Sequence, residues 1–172
     1  MKKLVEKAMA GNKEAFAEVI EILKIDLYKI AKVRLKNEDD VLDVIQETII
    51  SAYKSIQTLN APENFKKWII KILINKCNDN YYLKKNYVIP FEEISESFLT
   101  DEKRYEDLEI EDILKYLNED EKLIITLYYL EDYKSKEIAW ILDMNENTVK
   151  TKINRSRTKL KDKLEKGGFY NG

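Results

Sequence analysis

Lys150, Thr151, Asn154, Arg155 and Thr158 fall at helical spacing on one face of a segment near the C-terminal end of the sequence. Their chemistry suits nucleic acid. Lysine and arginine pair with phosphates or guanine edges, and asparagine offers a donor and an acceptor to adenine. The other face of the segment carries Val149, Ile153, Ser156, Leu160 and Leu164, at steps of four, three, four and four, which is the pattern of a buried helical stripe. Between residues 147 and 166 stand eight basic residues (Lys150, Lys152, Arg155, Arg157, Lys159, Lys161, Lys163 and Lys166) against Asp162 and Glu165. The whole chain has a formal net charge of −2. So local an asymmetry points to a nucleic-acid face, although many helical hairpins carry a basic, solvated face and touch no DNA.

Two other constellations carry chemistry. Asp43, Gln46 and Glu47 lie at i, i+3 and i+4, forming one acidic, hydrogen-bonding patch that Ile50 extends with an exposed apolar contact. On helix physics alone, acids in the first turns simply complement the macrodipole. Further on, Phe65, Trp68, Tyr81, Tyr82 and Tyr87 are interleaved with Lys66, Lys67, Lys71, Lys76, Lys84 and Lys85, against the single acid Asp79. Rings on which bases stack, with lysines that follow phosphates, suit single-stranded DNA. The same residues could equally be core aromatics and solvated lysines.

Composition narrows the function classes. The chain has 172 residues, no histidine and one cysteine, Cys77. The commonest general base and zinc ligand is therefore absent, an intrachain disulfide is excluded, and a structural zinc site is not expected. No Gly-rich phosphate loop is present. The expectation is a non-enzyme without catalytic residues, metal or cofactor, although paired carboxylates among the many acids leave a metal-dependent nuclease conceivable. No apolar run approaches membrane-spanning length, and the N-terminus lacks the apolar core of a signal peptide. A cytoplasmic protein with no membrane insertion is expected. Lysine far outnumbers arginine, and Ile, Asn and Tyr are frequent, which suggests an AT-rich, low-GC bacterial genome.

The elements that would position these residues are all helical. Four glycines and two prolines leave few breaks. Helices are expected over 4–10 and 13–35, separated by Gly11-Asn12, and over 39–59, capped by Asp39 or Asp40. In that third helix Leu42, Ile45, Ile49, Ala52, Ile56 and Leu59 would face inward. Residues 60–64 form a turn around Pro62, and a helix over 65–83 follows. Residues 88–106 read as a linker. The stretch 92–112 carries ten acids against Lys103 and Arg104, so the charge alternates basic, acidic, basic along the chain. A second helical domain begins near Leu108, with one stripe at Ile110, Ile113, Leu114 and Leu117. A break at residues 118–120 follows, then a stripe at Leu123, Ile124, Leu127, Tyr128 and Leu130. A helix over 135–142, a turn at Asp143-Met144-Asn145 and the basic helix complete a helix-turn-helix, which can place its second helix in the major groove. Asp143 tolerates a left-handed backbone, and Asn145 can cap the next helix. The fold class is all-α: two small helical domains joined by an acidic linker.

The order of these parts carries more than any one of them. An acidic helix with Asp43-x-x-Gln46-Glu47 is followed by Phe65-x-x-Trp68 opening a basic helix, then a linker, then a helix-turn-helix with Thr148-Val149-Lys150 near the start of its second helix. This resembles an extracytoplasmic-function (ECF) sigma factor of bacterial RNA polymerase, over about residues 8–87 and 107–164. DDVLDVIQETIISAYKSI is similar to that family's polymerase-binding helix, and KSKEIAWILDMNENTVKTKINRSRTKL to its second DNA-binding region.

The resemblance implies domains at 1–87, 88–106 (linker) and 107–172, with no further C-terminal domain. It implies that Asp43, Gln46, Glu47 and Ile50 face core RNA polymerase, and that Leu59, Asn60, Lys71, Asn75 and Lys76 lie around the flipped base of the minus-ten promoter element. It also implies that Lys150, Thr151, Asn154 and Arg155 read the minus-thirty-five duplex, with Thr148, Lys152 and Arg157 near phosphates. An anti-sigma factor, often membrane-anchored, is a further implied partner. The sequence departs from the family pattern at four points: Asp143 for the usual turn glycine, Asn145 for a hydroxyl cap, Lys134 for a serine cap, and Lys152 for an arginine. Two rival functions are a free-standing helix-turn-helix regulator and a nucleic-acid-processing enzyme. The first leaves the acidic helix and the basic aromatic helix without a task.

Overall fold

The structure, a computed structural model, describes residues 1–86 and 114–166, with side chains for 1–80 and 114–165. The expected linker, the acidic block, Tyr87, Ile110 and Ile113 lie outside the described residues, as do the side chains of Tyr81, Tyr82, Lys84 and Lys85. Every regular element among the described residues is helical.

Helix α1 spans Lys2–Met9 and α2 spans Lys13–Arg34. The break between them is the expected one. Gly11 adopts φ 93°, which costs glycine no Cβ clash. Asn12 then caps α2, its Oδ1 accepting the Ala15 N–H at 2.7 Å. Helix α2 buries Phe16, Val19, Leu23, Leu27, Ile30 and Ala31 along one face and is the central helix of the N-terminal unit, packed against α1, α3 and α4.

Helix α3 spans Glu38–Ser55. Its cap is Asn37 rather than Asp39 or Asp40: Asn37 keeps extended backbone, and its Oδ1 accepts the Asp40 N–H at 3.1 Å. The expected inward stripe also needs correction. Val41, Val44, Thr48 and Ala52 are buried, Ile45 and Ile49 are half-buried, and Leu42 is 47% exposed. Apolar residues occur on nearly every face of α3, so its own periodicity left the phase ambiguous. Packing against α2 and α4 selected the Val41 face. The helix also stops earlier than expected, giving way to a 3-10 turn at Ile56–Thr58, while Ile56 and Leu59 are buried as expected.

A second 3-10 turn, Pro62–Asn64, leads into α4, Phe65–Asn86. Phe65, Ile69, Ile70, Leu73, Ile74 and Cys77 are buried. Phe65 meets Phe16 edge-on at 6.4 Å between ring centroids and lies 5.7 Å from the Trp68 ring. Burial pushes the Cys77 thiol up to about 12, so at neutral pH it is a small apolar core group.

In the C-terminal unit the first helix described in full is α5, Glu119–Ile125. Asn118 and Glu121 form a reciprocal capping box: Asn118 Oδ1 accepts the Glu121 N–H at 2.9 Å, and Glu121 Oε2 accepts the Asn118 N–H at 3.1 Å. The chain then widens into a single π turn, Thr126–Leu130, closed by the Glu131 N–H donating to the Thr126 carbonyl at 3.1 Å. That extra residue per turn shifts the stripe. Leu123, Ile124 and Leu127 are buried as expected, but Leu130 is 49% exposed. Helices α6, Ser135–Ile141, and α7, Glu146–Lys166, form the helix-turn-helix. The two units touch, α2 against α5 and α4 against α6, and their buried residues join in one hydrophobic cluster.

Candidate nucleic-acid interface

The helix-turn-helix is built as its residues require. Asp143 sits at φ 51°, the left-handed conformation usually left to glycine. Asn145 Oδ1 accepts the Asn147 N–H at 2.8 Å, which caps α7. Lys134 has no acceptor with which to cap α6, but Glu137 does the work from inside the helix by accepting the Lys134 N–H at 3.1 Å. Ser135 Oγ donates to Glu146 Oε1 at 3.0 Å, bracing the two helices across the turn. Hydrogen bonds to Glu146 from Lys150 and Ser135 hold its carboxyl below the usual carboxylate range.

Val149, Ile153 and Ser156 are buried against the rest of the unit, and Leu160 and Leu164 are half-buried. That orientation turns Thr148, Lys150, Thr151, Asn154, Arg155, Arg157 and Thr158 outward, and all are exposed. Lys150 pairs with Glu146 one turn back at 2.8 Å. Lys152 differs from its neighbours: it is half-buried and leans toward Asp120 of α5 at 3.5 Å, off the open face. Farther along α7, Lys159 grips the buried Glu121 with contacts of 2.6 and 2.8 Å. Burial alone would raise the Glu121 pKa, but the hydrogen bonds from Lys159 and from the Asn118 backbone outweigh it and lower the value.

The α3 patch is exposed as the spacing implied. Asp43, Gln46, Glu47 and Ile50 all lie at the surface. The phase correction adds Leu42 and Tyr53, which together with the 53% exposed Ile50 give the acidic patch apolar flanks. Asn37 and the acids Glu38, Asp39 and Asp40 already serve the N-terminus of α3, so the macrodipole does not need Asp43 and Glu47.

The minus-ten candidates do not all converge. Leu59 and Asn60 line a cavity of about 390 Å³ at the junction of the units, together with Thr58, Asn64, Lys67 and Trp68. Lys136, Glu137 and Trp140 of α6 close its other side. Lys71 lies one turn beyond Lys67 and is held at α6 by Asp143 and by the Trp140 carbonyl, to which it donates at 2.8 Å. Asn75 follows at the next turn and is exposed. Lys76 leaves the group, pairing with Glu47 of α3 at 3.5 Å. Leu59 is buried as well as lining the cavity. Sequence reading missed Lys67, Thr58 and Asn64 as cavity residues. The only available signal was proximity to the Phe65-x-x-Trp68 motif. It also missed Trp140, whose 44% exposure on a helix otherwise packed by Ile138, Ala139 and Ile141 is visible only in three dimensions.

No helix among the described residues is long and apolar enough to cross a membrane. Residues 19–86 match the family model for Sigma-70 region 2, and residues 107–160 match that for Sigma-70, region 4. The chain is 37% identical over 145 residues to RNA polymerase sigma factor SigV of Bacillus subtilis, covering 83% of this chain and 87% of that protein. It is 30% identical over 179 residues to the ECF RNA polymerase sigma-E factor of Haemophilus influenzae, covering 94% of each. Two solved structures share the fold. CnrH in complex with the cytosolic domain of CnrY aligns with a TM-score of 0.69 at 24% identity, over 95% of this chain and 96% of that one. The sigma factor RpoE of Bartonella quintana, in complex with the anti-sigma factor NepR, aligns with a TM-score of 0.72 at 19% identity, over 87% and 96%. Both family models match, in chain order, around the acidic exposed helix, the basic aromatic helix and the outward-facing basic helix, and with relatives this similar along most of its length the chain belongs to the ECF RNA polymerase sigma factors.

Proposed function

We propose that this sigma factor binds core RNA polymerase through α3, directs the holoenzyme to promoters through α7, and opens the duplex through the Leu59–Asn75 region. The observation that carries the proposal is the coexistence of two open faces of opposite character. Asp43, Gln46, Glu47 and Ile50 with apolar flanks suit a basic partner helix, while Lys150, Thr151, Asn154 and Arg155 suit the major groove, with Thr148 and Arg157 at phosphates. Lys152 contributes to positive potential from the side rather than to base reading.

Leu59 and Asn60 at the cavity, with Lys71 and Asn75 on the turns of α4 beyond it, receive the captured minus-ten base, and Lys76 supports this surface through its tie to Glu47. Capturing an extruded base offsets an unstacking cost of a few kcal/mol. The functional units are 1–87 and 107–172, joined by 88–106. The protein makes and breaks no covalent bonds, works in the cytoplasm, and is sequestered by an anti-sigma factor. Two of its structural relatives were solved with such a partner or with a partner's cytosolic domain.

Run-off transcription with core polymerase on genomic fragments tests the assignment. The double change Gln46→Ala with Glu47→Lys is expected to weaken core binding, because it reverses charge toward a basic partner. Unchanged affinity for core would remove α3 from that role. Tight, sequence-specific duplex binding without core would favour a free-standing regulator instead.

A further inference from the structure

Both tryptophans of the chain, Trp68 of α4 and Trp140 of α6, line the cavity at the junction of the units. Neither is a core residue: Trp68 is half-buried and Trp140 is exposed. Indole rings in a cavity wall are stacking surfaces for a planar base. Lys71 stands 4.7 Å from the centroid of the Trp140 ring. It sets a cation against one face of that indole and leaves the other for stacking.

The polar groups of the walls suit the rest of a nucleotide. Lys67 and Lys136 bring positive charge for a phosphate. Lys67 is only loosely engaged, 3.7 Å from Glu137 Oε1, beyond a normal hydrogen bond, so its ammonium can turn to an anion. Asn60 and Asn64 offer side-chain amides to the edge of a base. Glu137 narrows the ligand further. Its carboxylate repels a phosphate and has no donor for a base carbonyl, but its lone pairs suit hydroxyl donors, as where an acidic residue holds a ribose in dinucleotide sites. Glu137 Oε2 already accepts the Lys134 N–H at 3.1 Å, and a carboxylate with about four acceptor positions has capacity left. The volume, about 390 Å³, falls within the ~300–1,000 Å³ of small-molecule sites.

We infer that this cavity is a binding site for a free ribonucleotide, with the base against Trp68 and Trp140, the phosphate toward Lys67 and Lys136, and the ribose hydroxyls on Glu137. The inference rests on the reading that the Leu59–Asn60 wall accepts a base. Its ligand differs from promoter DNA in carrying the 2′-hydroxyl, and its second wall, Lys136, Glu137 and Trp140, has no part in the promoter contacts proposed above.

The tryptophans themselves report occupancy. The full chain, without core, is titrated with AMP, GMP, CMP and UMP, and indole fluorescence is excited at its red edge, where nucleotides do not absorb. At least one nucleotide is expected to quench saturably, with half-saturation below ~1 mM. Inorganic phosphate and ribose 5-phosphate are expected to give no saturable quench. Lys136→Gln should weaken the best nucleotide about twofold to fivefold, the effect of one exposed charge contact. The deoxy counterpart should bind about fivefold more weakly than the ribonucleotide, as loss of one hydrogen bond implies. Glu137→Gln, which keeps an oxygen for the Lys134 N–H, should narrow that gap. No saturable quench by any of the four nucleotides overturns the inference, and so does quenching that phosphate alone reproduces. Equal affinity for the deoxy counterpart overturns the assignment of a ribonucleotide. Run-off transcription keeps the functional reading apart: normal run-off without a quench defeats only this site, whereas failed run-off with a saturable quench defeats the promoter role and leaves the site standing.

Discussion

Helices α4 and α7 are both long, both rich in lysine, and both anchored by an apolar stripe, yet they present their charge in different ways. The cations on the open face of α7 face solvent: among the described residues no carboxylate pairs with Arg155 or Arg157, and Lys150 is paired only with Glu146 of its own helix. The four cations of α4 whose side chains are described are half-buried and matched, each to an acid on another element: Lys66 to Asp26 and Glu131, Lys67 to Glu137, Lys71 to Asp143 and Lys76 to Glu47. Lys66 shows the consequence most clearly. Burial works against its charge, but its hydrogen bonds to Asp26 and Glu131 outweigh that penalty and raise its pKa. A basic helix is therefore not one kind of object. What it can bind depends on whether a neighbouring element has already supplied the anions.

The comparison can be broken most forcefully at the anchor of α4. Phe65 is fully buried at the start of that helix and packs on Phe16 and Trp68. Phe65→Ala should cost ~3–5 kcal/mol of stability, as large-to-small core changes do. Chemical denaturation would measure it, and a loss below about 1 kcal/mol would mean that α4 is held by its ion pairs rather than by its core. The contrast is sharpened at the open face of α7, where Arg155→Ala should cost ~1–3 kcal/mol of promoter discrimination if the side chain reads a base. Competition binding of holoenzyme against base-substituted promoters would show this. A uniform loss across sequences would instead make Arg155 a phosphate contact.

The smallest effect is expected at Glu121, where α7 does use one of its lysines structurally. Its carboxyl is held below the ordinary value by Lys159 and the Asn118 backbone. A lowered carboxyl pKa contributes stability above the unfolded value of about 4.3, and that contribution is lost as pH falls through the folded value. Glu121→Gln keeps the capping geometry and removes the charge, so it should cost ~0.5–1 kcal/mol at neutral pH. Thermal melts from neutral to acidic pH should show the variant and parent converging in acid. A constant difference across that range would assign the effect to packing instead.

The caps were readable because they are local. Asn12 and Asn145 serve backbone groups two or three residues away, whereas the Asn118 capping box, equally local, was read only as a break. The cap of α3 was misread by two or three residues because Asn37 and the acids after it are all competent caps. The burial phase of α3 was not readable for a different reason. With Val41, Leu42, Val44, Ile45, Ile49 and Ile50 distributed around the helix, no single face stands out. Only contact with α2 and α4 turns Val41 and Val44 inward and leaves Leu42 exposed beside Asp43, Gln46, Glu47 and Ile50. The π turn was equally hidden. Its extra backbone residue per turn leaves no mark in the side-chain pattern, yet it moves Leu130 to the surface.

By itself the sequence determined the all-helical class, the breaks at Gly11-Asn12 and at the turn through Asp143, the outward basic face of α7, and membership of a sigma family through the order of its motifs. Each follows from interactions within a few residues, or from residue types in a fixed order. The tertiary structure alone decided which face of α3 packs inward, which side chains share the cavity with Leu59 and Asn60, and which carboxylates hold Lys66, Lys67 and Lys71. The partners in the last set are separated by as many as 72 residues. A charged side chain records its sign in the sequence, but not its partner, because that depends on which helices pack together.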